Sequence, residues 1–158
     1  ERHRWWLYLP VLVIAVALIL PFLSRTDRPG QAKPAMVAAI VVLFAGTAGI
    51  AWSLRSLTGL AIALTVFFAA FNLLEALLPS LVSKYAAAEG RGAAIGVNSS
   101  AQFLGAFVGA AAAGWLAEHV SNVSVFVLCL VLVAFWCVVA LTMAHPDGYV
   151  SNYTMGET

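Results

Sequence analysis

The sequence predicts an all-α fold, a polytopic membrane helix bundle with five transmembrane helices, and three observations carry that reading. Of 158 residues, 63% are hydrophobic and 9% are charged. A soluble domain, wetted on all sides, carries about 25% charged residues. The few charges are gathered into short clusters between long apolar runs. Those runs reach about 20 residues, the length a helix rising about 1.5 Å per residue needs to cross the hydrocarbon core.

The spans follow one another along the chain. The first runs over about 5–23, the second over 35–52 and the third over 57–82. The fourth, over 93–116, is rich in Gly and Ala, and the fifth, over 123–143, is the most uniformly apolar. Together, residues 1–144 are expected to form the transmembrane bundle, and 145–158 a polar cytoplasmic tail or linker. The first span has the outline of a signal peptide, but no small-residue cleavage site follows it and four more spans come after.

The breaks are equally legible. SRTDRPGQAKP, from Ser24 to Pro34, combines charges with Pro29, Gly30 and Pro34 and cannot stay helical in lipid. SLRS, from Ser53 to Ser56, is a tight turn around Arg55, and SKYAAAEGRG and EHVSN are the other two connections. Lys and Arg favour the cytoplasmic side of a membrane protein. One side holds Arg25, Arg28, Lys33, Lys84 and Arg91, and the other holds Arg2, Arg4 and Arg55. That bias puts the first and third connections, and the C-terminus, in the cytoplasm. Five spans place the chain ends on opposite sides of the membrane, and a polytopic chain opening at Glu1 beside its first span reads as a piece of a longer one.

Glu75 is the only Asp, Glu, Lys, Arg or His well inside any span. A charge at the bilayer centre costs about 3 kcal/mol on insertion scales, so such residues face a bundle interior or a wet cavity and are often protonatable. About nine residues separate it from Lys84, roughly 13 Å at helical rise. Phe68, Asn72, Glu75 and Pro79 share one face at helical spacing, a polar, kink-prone line on a greasy helix. The competing reading is a neutral structural Glu bonded to a neighbouring helix. On the fourth span, Asn98 and Gln102 are the polar neighbours, and a short connection puts Gln102 at nearly the depth of Glu75. Gly105, Gly109 and Ala113 follow at four-residue spacing, a pattern that lets membrane helices approach closely.

Other signals exclude functions. A net charge of +1 offers no field for nucleic acid. Cys129 and Cys137 sit in one apolar run with neither Cys-x-x-Cys nor metal-ligand spacing, and His3, His119 and His145 are scattered over separate loops. No nucleophile–base pair, metal site or cofactor site is expected, and the chain does not read as an enzyme.

FNLLEALLPSLVSK, the GRGAAIGV loop and SAQFLGAFVGAAAAGWL stand in this order within the stretch from Phe67 to His119. This stretch resembles the tenth and eleventh helices of YajR-type bacterial transporters in the major facilitator superfamily. WWLYLPVLVIAVALILPF is similar to that family's eighth helix, and the tail after TMAHPDGYV also fits. The resemblance implies a fragment of a twelve-helix fold, helices eight to twelve. In that fold the tenth helix, here carrying Asn72 and Glu75, lines the central cavity, and the last faces lipid. Asp27-Arg28-Pro29-Gly30 looks like a degenerate second copy of the superfamily's cytoplasmic loop motif, with Leu23 where a Gly leads it.

The implied function is a bacterial inner-membrane secondary transporter working by alternating access, by proton-coupled efflux of a drug or metabolite. Its partners would be the lipid bilayer, the N-terminal half of the same transporter, a small-molecule substrate and protons. The alternative is a non-transporting membrane scaffold or assembly protein, with the Gly-rich span as a partner face and Glu75 as an interhelical anchor.

Overall fold

The computed structural model describes residues 31–143. The expected first span, the loop motif Asp27, Arg28 and Gly30, and the polar tail lie outside the described residues. Within them are four helices: α1 (Ala32–Trp52), α2 (Leu57–Tyr85), α3 (Arg91–His119) and α4 (Asn122–Thr142). Each is long and apolar enough to cross a membrane. The shorter two, of 21 residues each, would rise about 31 Å, the thickness of a hydrocarbon core.

Serines set the boundaries on one side of the bundle. Ser53 N–H donates back to the Gly49 carbonyl at 2.9 Å, closing α1, and Ser56 Oγ accepts from Gly59 N–H at 3.2 Å, opening α2. The same chemistry recurs between α3 and α4. There Ser121 N–H donates to the Leu116 carbonyl at 3.0 Å, and Ser121 Oγ accepts from Ser124 N–H at 3.2 Å. In each case a hydroxyl satisfies a helix N–H that lacks an intrahelical acceptor. The α2–α3 connection instead ends in a 3-10 turn, Ala88–Gly90, which runs directly into α3.

The core lies where α1 meets α2 and α4. Met36, Ala39, Ile40 and Leu43 form a buried stripe on α1 at helical spacing. They pack with Ala70 and Leu74 of α2 and Ala140 of α4, and Ile40 and Ala140 retain 0% exposure. Phe67, Trp136 and Cys137 lean on this cluster. Against the described residues no side chain of α3 is buried; the helix rests on the rims of α2 and α4.

Lipid tails are as apolar as Leu, so membrane helices gain association energy from close packing more than from burial. That packing is built on glycine between α1 and α2. A Cβ on Gly46 would lie 2.8 Å from both Cα and N of Phe67, and one on Gly49 would meet the Ala63 Cβ at 3.2 Å. Phe67 is itself braced by Phe71, whose ring stacks on it at a centroid distance of 6.0 Å. Buried Thr47 between the two glycines donates its hydroxyl to the Leu43 carbonyl of its own helix at 2.9 Å, so that hydroxyl is paired without a partner on α2. The glycine pattern singled out on α3 behaves differently. Gly105 and Gly109 have open space where a Cβ would stand, so no close approach is made there among the described residues. The reason is the placement of α3 at the rim.

One long-range contact joins the ends of α1 and α4. Lys33 Nζ donates to the Leu141 carbonyl at 3.1 Å and to the Met143 carbonyl. These are carbonyls at the end of α4, where a helix lacks intrahelical donors and its dipole is negative. Lys33→Met, which keeps the apolar stem and removes the donors, is expected to loosen that turn by about 1 kcal/mol. Amide exchange over Val139–Met143 should then rise about fivefold, with Lys33→Arg restoring protection. Unchanged exchange would show that the contact contributes nothing.

Candidate functional site

The site starts from the two faces of α2. Ala63, Ala70, Leu74 and Leu77 are buried and share the side of α2 turned towards α1. A helix advancing 100° per residue puts Phe68, Asn72, Glu75 and Pro79 on the opposite side. There Phe68 and Asn72 are half-buried, while Glu75 and Pro79 are exposed. The packing that hides the apolar stripe therefore turns the acid away from the core.

Two local features mark the backbone at Glu75. Pro79 has no N–H, so the Glu75 carbonyl loses the donor that position i+4 supplies elsewhere in a helix. Asn72 is engaged on its own helix: Nδ2 donates to the Phe68 carbonyl at 2.7 Å. Asn72 shares the face of Glu75 without serving as its partner in that bond.

The partner comes from α3. Gln102 Nε2 donates to Glu75 Oε1 at 2.5 Å. The pair is 27 residues apart in sequence, and the turn Ala88–Gly90 lies midway between them. Two antiparallel helices leaving one short turn must bring such residues to the same depth. Asn98 stands one turn nearer the connection and is half-buried.

The stretch of α3 around this pair is exposed among the described residues. Ala94, Asn98 and Ser99 near the start of α3, and Ala112, Ala113 and Leu116 towards its end, are half-buried. Gln102, Gly105 and Gly109 share this side at helical spacing, yet all are exposed and, among the described residues, nothing lies within 4 Å of a Cβ on either glycine. Among the described residues, helix α3 is thus half-buried towards both ends and exposed from 100 to 111 in its middle. The Glu75–Gln102 bond reaches α3 within that exposed stretch.

His119 lies at the far end of α3, where its ring stacks on Trp115 at 5.1 Å and Nδ1 meets the Trp115 carbonyl at 3.0 Å. Seventeen residues separate it from Gln102, roughly 25 Å along the helix, so it takes no part in the pair.

Of the residues nominated from sequence, the structure brings Glu75 and Gln102 into contact, sets Asn72 and Asn98 within a turn of them on the same helices, and leaves Gly105 and Gly109 exposed. Sequence reading missed the Gly46 and Gly49 approach and the Lys33 bridge. The signal for the first was present as a second small-residue cluster, GTAG, in α1; the second has no local signal.

The comparisons with known proteins agree with this architecture. The family model described as Major Facilitator Superfamily matches residues 5–152. The chain is 35% identical over 151 residues to the Inner membrane transport protein YajR of Escherichia coli (strain K12). That alignment covers 95% of this chain and 33% of the relative, so the chain spans about a third of the length of the curated protein it matches. No solved structure matches it. A family match over nearly the whole chain, on four helices of membrane-spanning length, establishes that this chain is a multi-pass membrane segment belonging to the major facilitator superfamily.

Proposed function

We propose that the chain is the C-terminal part of a bacterial inner-membrane secondary transporter that works by alternating access and couples efflux of a drug or metabolite to protons. The observation that carries this reading is the Glu75–Gln102 pair: an acid in the middle of an apolar helix, turned from the core and tied to an exposed stretch of the next helix. A scaffold needs interhelical hydrogen bonds but no carboxyl at that depth, where insertion costs about 3 kcal/mol if it is charged. A proton-coupled transporter needs a protonatable group that a water-filled path can reach.

In this reading Glu75 takes and gives the proton. Asn72, Asn98 and Gln102 line the cavity wall or tie its helices together. The missing wall is the N-terminal half, seated along the side of α3 that carries Gly105, Gly109 and Ala113. The loop with Asp27, Arg28 and Gly30 lies on the cytoplasmic side, as does the C-terminus, because most of the Lys and Arg residues flank those connections.

The experiment uses the full-length protein in vesicles holding a pH-sensitive dye, challenged with a panel of lipophilic cations and small polar metabolites. Solute-driven proton movement that protein-free vesicles lack is the expected result. No solute moving protons or being moved by a proton gradient would sink the transport reading in favour of the scaffold.

A further inference from the structure

The Glu75–Gln102 bond has a chemical property that a fixed structural tie does not require. An ionised carboxylate only accepts hydrogen bonds, whereas a carboxylic acid also has one to donate. A partner that donates to the carboxylate and also takes up the O–H of the acid must carry both a donor and an acceptor. Lys and Arg carry donors alone, and a Leu carries neither. Glutamine holds Nε2 and Oε1 on one planar carbon, and its terminal torsion is broad and roughly two-fold. A half-turn therefore exchanges donor for acceptor at nearly the same place.

Space and competition both favour that half-turn. Gln102 is exposed, and the positions one and two turns further on the same side of α3 are glycines with nothing near them among the described residues. Asn72, the other amide on the face of Glu75, already donates to Phe68. The described charged groups of the packed helices stand near their ends: Lys33 on α1, and Arg91, Glu118 and His119 on α3. Lys33 is engaged at the end of α4, and α4 carries no Asp, Glu, Lys or Arg of its own.

Resting on the reading of Glu75 as the proton-linked residue, we propose that Gln102 is the positioning residue for its proton uptake. Its amide holds the carboxyl on α3 in both protonation states. It donates from Nε2 to the carboxylate and, after a half-turn, accepts at Oε1 from the O–H of the acid. The proton arrives from water and bonds to a Glu75 oxygen, and no other covalent bond forms or breaks. Protonation is then passed to α3 as an amide rotation, and α2 and α3 stay joined through the cycle.

Infrared difference spectra between acid and alkaline buffer test this on the full-length transporter, with the glutamine side-chain carbonyl labelled by carbon-13. The protein is held in vesicles of phosphatidylethanolamine and phosphatidylglycerol. Acidification should produce a carboxyl band together with a shift of one labelled glutamine band, and Glu75→Gln should lose both. Gln102→Met, close in volume, should retain the carboxyl band at a shifted frequency and lose the glutamine signal. Gln102→Asn, polar but too short to reach, should behave the same way. A carboxyl band unmoved by either Gln102 variant, or a silent glutamine band in the unaltered protein, would overturn the role of Gln102 while leaving Glu75 titrating. Absence of any Glu75-dependent band overturns the underlying reading and the proposal with it.

Discussion

A Gly46→Val chain is expected to lose the packing of α1 on α2. The new Cβ would stand 2.8 Å from Cα and N of Phe67, closer than real carbon atoms approach, and what it meets is backbone. A flexible side-chain tip could swing aside; a helix backbone moves only as a whole. Phe67 cannot retreat easily, because it also leans on the core cluster and stacks on Phe71. Overpacking of a core costs typically 1–3 kcal/mol, so a loss of about 3 kcal/mol is expected here. In full-length protein unfolded by titrated detergent, the midpoint should fall well below that of the unaltered chain. Gly49→Ala should cost less, because its Cβ would meet a side-chain methyl at 3.2 Å, which a few tenths of an ångström relieves. Gly105→Val meets nothing among the described residues and should leave the α1–α2 contact untouched. Equal midpoints for Gly46→Val and Gly105→Val would refute the close-packed crossing.

The contrast between these glycines shows what the sequence could and could not tell. Gly105-x-x-x-Gly109 and Gly46-x-x-Gly49 are both small-residue patterns inside apolar helices, and spacing alone does not name the helix that each approaches. Their difference arises from which helix occupies the middle of the bundle, a property of the whole chain. Helix positions were legible because the length of an apolar run is set by the bilayer, and Ser56 and Ser121 open α2 and α4 for reasons visible in four residues. The Glu75–Gln102 contact was legible in depth, since a short hairpin fixes it, but not in hydrogen-bond partner. Asn72 was as plausible a partner by spacing and instead bonds to Phe68 on its own helix. Lys33 reaching carbonyls 108 and 110 residues away has no signature in any local window.

Glu75→Gln should produce the largest functional effect with little change in fold. Glutamine keeps the shape of the protonated acid and can still exchange a hydrogen bond with Gln102, so the α2–α3 tie survives. What it cannot do is gain or lose a proton. If proton and solute are coupled through Glu75, linkage requires that each alter the binding of the other by the same factor, commonly about 5–150-fold. In the variant that factor should fall to near one: solute binding becomes independent of pH, and proton release on solute binding disappears. Glu75→Asp tests position rather than charge, since its carboxyl stands one methylene short of Gln102; it should titrate yet couple poorly. Binding measured across pH on the full-length protein, with the solute that gives the strongest proton movement, separates these outcomes. A Glu75→Gln variant that keeps its pH dependence would remove Glu75 from coupling, leaving the pair as an interhelical anchor. A variant that loses both binding and detergent resistance would assign the carboxylate to packing. Retained binding with the proton dependence gone is the result that only a coupling role yields.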